Sequence, residues 1–579
     1  MVRRSKISAA ILFAVAPLVW GQSAGPLQQH YDDAQMFQQS GKLTEASQQY
    51  HAFLADALTQ LGMGYSLARD YKQAAAAFNN ALVLAPGSTS LLLDSTRTSL
   101  MLGDLDKVKS LATEVIQNHP GNHSQLAEAH QLLGRALLHQ DQDREARKEL
   151  GAAVILDPTF PNGYDLAIAC LDLDDEKCAA QIFSEMEKSF GDAPELHMAF
   201  GRAYGESDFQ PRAVAEFQRA IQEDPHLPEA HYLLAAALLG SNQTKVKEAV
   251  AALKQELLIS PHSAQAYAAL GKLEANANQY AKAEGDLKKA ITLDPQNPDP
   301  CLYLGQMYFS QHRYSEAEPY LRQSIQLTAD ASRNRYQIQR AHFLLGRILI
   351  QKGDTNTAQK EMQISRDLAN KALSQDRTKL AALLDTDASP KTAAANPETS
   401  TGSPRIDPTA LHRVEALAAQ WKPAIADSYN NLGAIAATNS DYSAAVDYFK
   451  QAASWNPSMP GIDYNLGRAA FAASRFSDAV PPLSRYVEAH PADPGARSVL
   501  GISQFKVGNY QGCVDALQPV ADQSDLALQV QYVYAESLVR SGHLNDGLAR
   551  LRALVQAHPG VPDVDRALKE ALALSARQH

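Results

Sequence analysis

A small residue returns along this chain at an interval of 34. It stands at Gly433, Gly467, Gly501 and Ala535, at Ala167, Gly201 and Ala235, and at Gly271 and Gly305. Gly62, Thr96, Gly134 and Gly346 extend the series, Thr96 being the bulkiest member. Self-similarity at a fixed period restricts the fold to stacked supersecondary units, each of which buries its apolar face only against its neighbours.

The residues around the small position say what the unit is. Leu61-Gly62-x-x-Tyr65 is followed by Ala74, Phe78, Ala81 and Pro86, and Phe200-Gly201-x-x-Tyr204 by Ala213, Phe217, Ala220 and Pro225. Leu304-Gly305-x-x-Tyr308 precedes Ala317 and Leu321, and Leu432-Gly433-x-x-Ala436 precedes Ala445, Phe449, Ala452 and Pro457 at the same offsets. Leu61, Gly62 and Tyr65 share one face of a helix, and Ala74, Phe78 and Ala81 form the facing stripe of a second. Glycine or alanine lets the two backbones approach, and the large ring fills the wider space beside it. Asp157-Pro158, Asp224-Pro225 and Asp294-Pro295 close units, because the residue before proline is pushed out of helical geometry.

This pattern resembles the tetratricopeptide repeat (TPR) from about Tyr31 to about Pro559, with a weaker copy at Ala34, Phe37, Gly41, Ala46 and Tyr50. The resemblance implies an all-α fold, an α-solenoid (right-handed superhelix) of helix-turn-helix units. Two intervals depart from 34: Ala235 to Gly271 is 36, near Ser241-Asn242-Gln243, and Gly346 to Gly433 is 87. The second holds an extended helix from Thr355 to about Leu384, then a Pro-, Thr-, Ser- and Ala-rich stretch with nothing apolar to bury. The expected organisation is a signal peptide at 1–24, a first array at 25–384, a flexible linker at 385–408, and a second array with a capping helix at 409–579.

Arg3, Arg4 and Lys6 precede an apolar run from Ile7 to Trp20, with cleavage-compatible residues to Gly21 and at Ala24. The run is shorter than the roughly 20 residues of a membrane span, so a cleaved export signal is expected, and with it a periplasmic or secreted protein without stable membrane insertion. The net charge of −11 argues against nucleic-acid binding, which needs a basic surplus. Cys170, Cys178, Cys301 and Cys513 form no Cys-x-x-Cys pair, so no structural zinc is expected. Cys170 and Cys178 fall on the two helices of one unit, and two readings stand: a disulfide, or two small apolar core residues.

Catalytic signatures are missing. No His-Glu-x-x-His and no phosphate-binding loop occurs. Gly64-Tyr65-Ser66-Leu67-Ala68 lies inside a repeat helix, where a nucleophile elbow needs a strand-to-helix turn. The acidic cluster Asp172, Asp174, Asp175 and Glu176 lacks the glycine and distal glutamate of a calcium loop and reads as a solvated turn. His119 and His123 flank a turn and read as surface loop. Repeats leave no room for a catalytic domain. The chain is read as a non-enzyme without cofactor or metal, with an unrecognised catalytic site as the alternative of a different class.

Family resemblance places the residue after the small position on the concave face. There the chain carries Arg97, Arg135, Arg202, Lys272, Arg347 and Arg468, with Phe343, Ile350, Tyr464 and Phe471 close by on the same stripe. Arginine beside aromatic side chains suits an extended peptide bearing carboxylates; the alternative is a solvated helix face. The carboxylate clamp of chaperone cofactors is not carried over: Asn431 and Asn465 match one of its positions, but Ala434 and Val499 do not. The expected function is a scaffold for protein or peptide partners, or a soluble accessory subunit of an envelope export or polysaccharide-secretion machine.

Overall fold

The computed structural model describes residues 24–118, 121–241, 245–328, 335–384, 406–523 and 526–578. The expected signal segment up to residue 23, the linker from 385 to 405, His119, Asn242 and Gln243 lie outside them. Every regular element among the described residues is helical, and the chain is an α-solenoid of helix pairs.

The close approach within a pair rests on one contact sixteen residues apart. A Cβ added to Gly62 would lie 2.6 Å from the Phe78 ring, to Gly201 2.6 Å from Phe217, to Gly305 2.6 Å from Leu321, and to Gly433 2.7 Å from Phe449. Gly134, Gly271, Gly346, Gly467 and Gly501 meet Leu150, Leu287, Met362, Leu483 and Leu517 in the same way. Thr96 breaks the rule and is compensated: the residue sixteen on is Ala112, and both are fully buried.

The turn inside each pair is equally regular. Seven residues after the small position the backbone is left-handed, at Arg69, Asp141, Asp174, Asp208, Asn278, His312, Ser440 and Ser474, and at Gly103, Gly353, Gly508 and Gly542. The next amide returns to a carbonyl five residues earlier, as Asp70 does to Tyr65 and Arg313 to Tyr308, both 2.9 Å. That bond satisfies a carbonyl left open at the helix end. The residue making it often caps the second helix: the Asp70, Asp104, Asp175, Asp441 and Asn509 side chains each accept from the amide three residues on. The acidic run at 172–176 is one such turn.

Residues Ser88–Asp407 form one compact unit. Its leading helices are α4 (Thr89–Leu102), α6 (His123–His139), α8 (Phe160–Asp172), α10 (Pro194–Glu206), α12 (Ala230–Ser241), α14 (Ala264–Asn276), α16 (Pro298–Ser310) and α18 (Arg335–Gln351). Each is followed by its partner, among them α9 (Glu176–Phe190), α11 (Gln210–Glu223) and the long α19 (Thr355–Leu384). A disulfide joins Cys170 of α8 to Cys178 of α9. Cys301 and Cys513 are buried free thiols, and burial pushes each up to about 11.

Within this unit a partly buried tie recurs between the two helices of a pair. His130 meets Glu149 at 2.8 Å, His197 meets Glu216 at 2.7 Å, and His342 meets Glu361 at 2.5 Å, the partners always 19 residues apart. His197 is completely enclosed, and its second ring nitrogen lies 2.7 Å from Asp192. Carboxylates only accept, so both nitrogens donate and the ring is an imidazolium. Burial alone would lower its pKa; the hydrogen bonds to Asp192 and Glu216 outweigh that and raise it.

The second unit is discontinuous. It joins residues 24–87 to Pro408–His579, where the sequence suggested contiguous arrays at 25–384 and 409–579. The first segment holds α1 (Ala24–Gln39), α2 (Leu43–Leu67) and α3 (Tyr71–Leu84); the second starts with α20 (Pro408–Thr438) and α21 (Tyr442–Trp455). The cause lies in α2. From Tyr50 to Leu58 it meets no glycine or proline to end it, so the second helix of the weak N-terminal repeat runs on into the first helix of the next. The resulting 25-residue rod pairs antiparallel with the 31-residue α20. Tyr50 lies against Asn431 and Phe53 against Trp421, with ring centroids 5.9 Å apart. Farther along, Tyr65 is raised by burial and by Glu415.

The seam is polar where α1 joins it. The Tyr31 hydroxyl donates to Asp427 at 2.8 Å, and Asn431 donates to Asp427 and to the Tyr50 hydroxyl, both at 3.0 Å. Burial, with Asp427 nearby, pushes Tyr50 up to about 12. His51 Nδ1 donates to the Ser47 carbonyl at 2.7 Å, so its Nε2 accepts from Tyr448 at 2.9 Å.

Three outcomes are expected. Gly305→Thr alone costs about 1–3 kcal/mol by overpacking and Leu321→Ala alone about 2–5 kcal/mol by cavity formation. The double variant, which copies Thr96 and Ala112, falls short of their sum in urea unfolding. A protease site inserted at residue 395 and cut in the folded full chain leaves fragments that co-elute on native gel filtration, because residues 24–87 stay bound to 408–579; separate elution refutes the shared unit. His197→Gln lowers stability by on the order of 3 kcal/mol where the imidazolium is paired. Its folded pKa lies above the unfolded value near 6.5, so the tie contributes fully below about pH 6.5 and is lost as pH rises through the folded pKa. The gap in melting temperature between wild type and His197→Gln therefore narrows from pH 6 to pH 9; a constant gap contradicts the paired imidazolium.

Candidate functional site

A residue one step past the small position is turned about 100° away from the intra-pair contact. In the first unit all such basic side chains reach toward a neighbouring leading helix. Arg97 of α4 pairs with Asp94 at 2.7 Å and with Glu128 of α6 at 2.5 Å. Arg135 of α6 lies 3.9 Å from Asp165 of α8, which also accepts from Gln131 at 2.8 Å. Arg202 of α10 pairs with Glu229, just before α12, at 2.7 Å. Lys272 of α14 sits 4.8 Å above the Tyr303 ring of α16, and Arg347 of α18 sits 5.4 Å from Phe309 of α16 and 6.0 Å from its own neighbour Phe343.

These side chains are ties between adjacent repeats as well as a row of charge. Their partners were not picked out from the sequence, although a signal exists. Asp94, Asp165 and Tyr303 stand two residues before a small position, and Glu128 and Glu229 stand six before one. The cost of the arrangement falls on the ionisable groups around it. Burial pushes Asp165 up against the opposing pull of Arg135, burial and Arg135 together push His139 down, and burial raises Tyr164 and Glu206. Phe343 and Ile350 remain open to solvent, at 40% and 48% exposure, and offer apolar contact on the same helix.

The second unit carries the remaining predicted residues on α22 (Ile462–Ala472). Arg468 stacks 5.3 Å from the ring of Tyr464, and Phe471 packs edge-on to Phe476 at 5.7 Å. Asn465 donates to Asn430 at 3.4 Å, and Asn431 is consumed in the seam with α1 and α2.

Among the described residues, Glu187, Asp192 and His197 come close enough to share a metal ion. Their hydrogen bonding leaves no vacancy for one. His197 has no free lone pair, and Arg219 already bridges Glu187 at 2.6 Å and Asp192 at 3.5 Å. The group is a salt-bridged clip across α9, α10 and α11. Ser47 and His51 approach to 3.4 Å but make no nucleophile–base pair, since the ring nitrogen facing Ser47 donates to its carbonyl. No described helix is long and apolar enough to cross a membrane.

Two family profiles described as Tetratricopeptide repeat match the chain, one over residues 275–337 and 436–501, the other over 241–298 and 408–460. No curated protein matches. Similar solved structures include the APC/C hetero-tetramer Cut9–Hcn1, with 15% identity over 94% of this chain and 96% of that one at a TM-score of 0.26. A tetratricopeptide repeat protein from Parabacteroides merdae shows 16% identity over 42% and 93% at 0.33, and a human IFIT1 dimer with PPP-AAAA shows 16% over 72% and 94% at 0.30. Tetratricopeptide repeats are protein-interaction scaffolds. With the matched segments in both units and the glycine contact repeated along the chain, this is a protein built of tetratricopeptide repeats.

Proposed function

We propose that the chain is a non-catalytic scaffold that holds extended protein or peptide partners along the leading-helix face of its repeats, in an exported compartment. The row Arg97, Arg135, Arg202, Lys272 and Arg347 carries the reading. Each is pre-positioned by a neighbour in the next or preceding repeat, so a partner's carboxylates meet oriented donors at little further entropic cost. Exposed Phe343 and Ile350 add apolar contact at the α18 end. Export is supported by the charged and apolar start of the sequence and by the Cys170–Cys178 disulfide, a bond typical of oxidising compartments.

Cross-linking in cells followed by purification from the exported fraction tests compartment and partner together. The expected result is a chain whose mass begins near Gln22 or Gly25, joined to a stoichiometric protein partner. Polysaccharide-machine subunits as the captured set favour the accessory-subunit role, and turnover by the purified chain alone overturns the scaffold reading. Arg202→Ala with Arg347→Ala is expected to weaken capture of that partner about tenfold or more and to flatten its salt dependence while the helical circular-dichroism signal is kept. Unchanged binding at low and high salt shows the row to be a solvated, structural face.

A further inference from the structure

One repeat departs from the others at two facing positions. Three residues after its small residue, Gly271, stands Glu274, where Tyr65, Tyr204 and Tyr308 stand in their repeats and where no other repeat carries a carboxylate. Fifteen residues after Gly271 stands Asp286, in the register of Glu149, Glu216 and Glu361. Those three each meet a histidine of the leading helix. The matching leading-helix residue here is Tyr267, whose hydroxyl accepts from Lys289 at 2.5 Å. Asp286 therefore has no imidazole in that place, and it meets Glu274 instead.

Glu274 belongs to α14 and Asp286 to its partner α15 (Tyr280–Leu293). Glu274 is enclosed, at 8% exposure, and its Oε2 meets no donor of the chain. The Asp286 carboxylate lies within hydrogen-bonding reach of the Glu274 side chain. Ionised carboxylates only accept, so a bond between the two exists only while one keeps its proton. With both charged they repel across a contact shielded from water. The charged groups facing the pair are Lys254 on α13 (Val246–Ile259) and Lys282 and Lys289 on α15. Helix α16, which also packs on α14, turns Tyr303 to Lys272 and Asp299 toward Tyr232. Burial raises both carboxyls, the charge of Asp286 raises Glu274 further, and the lysines pull downward without prevailing.

We propose that Glu274 and Asp286 form a proton-operated latch inside the α14–α15 pair. Holding one proton between them, they clasp the two helices. When that proton leaves to solvent, two negative charges face each other where other repeats set a tyrosine or a histidine–carboxylate tie, and the pair loosens. The sign is opposite to that of His197. The folded chain holds the proton more tightly than the unfolded one, whose carboxyls titrate near pH 4. The pair therefore costs nothing below about pH 4, and the cost grows as pH rises and is complete above the folded pKa. Glu274 lies two residues past Lys272, between Arg202 and Arg347 in the basic row. Opening the latch loosens the repeat that carries this part of the row.

Hydrogen–deuterium exchange on the full chain tests the latch. Wild type is compared with Glu274→Gln at pH 4.5 and at pH 8, reading the peptides of α14 and α15 against those of α10 and α11. The introduced amide copies the protonated carboxyl and donates to Asp286 at either pH. The expected result is equal protection of α14 and α15 in the two chains at pH 4.5. At pH 8 these helices open about tenfold more often in wild type, the equivalent of a displacement by one pKa unit, while α10 and α11 behave alike in both chains. Asp286→Asn removes the other charge and should reproduce the result, which covers the case of a poorly folded Glu274→Gln. A ratio of wild-type to variant opening that stays constant or falls between pH 4.5 and pH 8 overturns the latch.

Discussion

The contact of a backbone with a ring or branched side chain sixteen residues later sets the geometry of this protein. At nine glycines a single added methyl group would collide with the facing Phe, Leu or Met. Helix pairs that close cannot slide or splay independently, so every pair presents its leading helix in nearly the same way to the next. The left-handed residue at the turn is the second half of the constraint. It folds the chain back at one fixed distance from the small residue, and the returning amide closes the helix end. Arg69, His312 and the serines bear this conformation without glycine's freedom, at a cost of order 1 kcal/mol each.

Identical presentation is what turns single side chains into a row. Arg97, Arg135, Arg202, Lys272 and Arg347 were read from the sequence as a stripe of charge. In three dimensions each reaches across a boundary between repeats to a carboxylate or an aromatic ring, although the buried Nε of Arg135, 3.9 Å from Asp165, makes no hydrogen bond. Surface ion pairs contribute little individually, but Arg135 and Asp165 are largely enclosed, and the upward displacement of Asp165 shows the strain of keeping charge there. In the proposed scaffold, stability and recognition draw on the same atoms. A partner that competes for these arginines must supply its own acceptors and leaves acidic side chains to be resolvated.

The periodic part of the fold was readable because it is local. The small residue, the facing ring and the helix-stopping Asp-Pro all lie within one unit, and so does the pairing of Cys170 with Cys178, one of two readings the sequence allowed. The histidine ties at 130, 197 and 342 are local as well, yet they occupy only some repeats and so fall below the level of a pattern. The partnership of 24–87 with 408–579 was not readable. It depends on the absence of a stop signal in α2, and an absence in one weak repeat looks like ordinary divergence. Its specificity comes from Tyr31, Tyr50, Asp427 and Asn431, which carry no family signature.

That discontinuity bears on how the molecule is made. A typical solenoid grows by adding each unit to the one just completed, so its contacts stay short in sequence and form early. Here residues 24–87 belong to a unit whose remainder is separated from them by 320 residues. Relative to joining neighbouring repeats, closing so long a loop costs about 2 kcal/mol in chain entropy, and at ordinary synthesis rates the wait lasts on the order of 16–64 s. During that wait the side of α2 that later meets α20, where Phe53 packs against Trp421 and Tyr50 against Asn431, is left without that cover. Residues 24–87 are thus made before the 320 residues that follow them yet complete their packing after them, and it is in this segment that the nascent protein most needs protection.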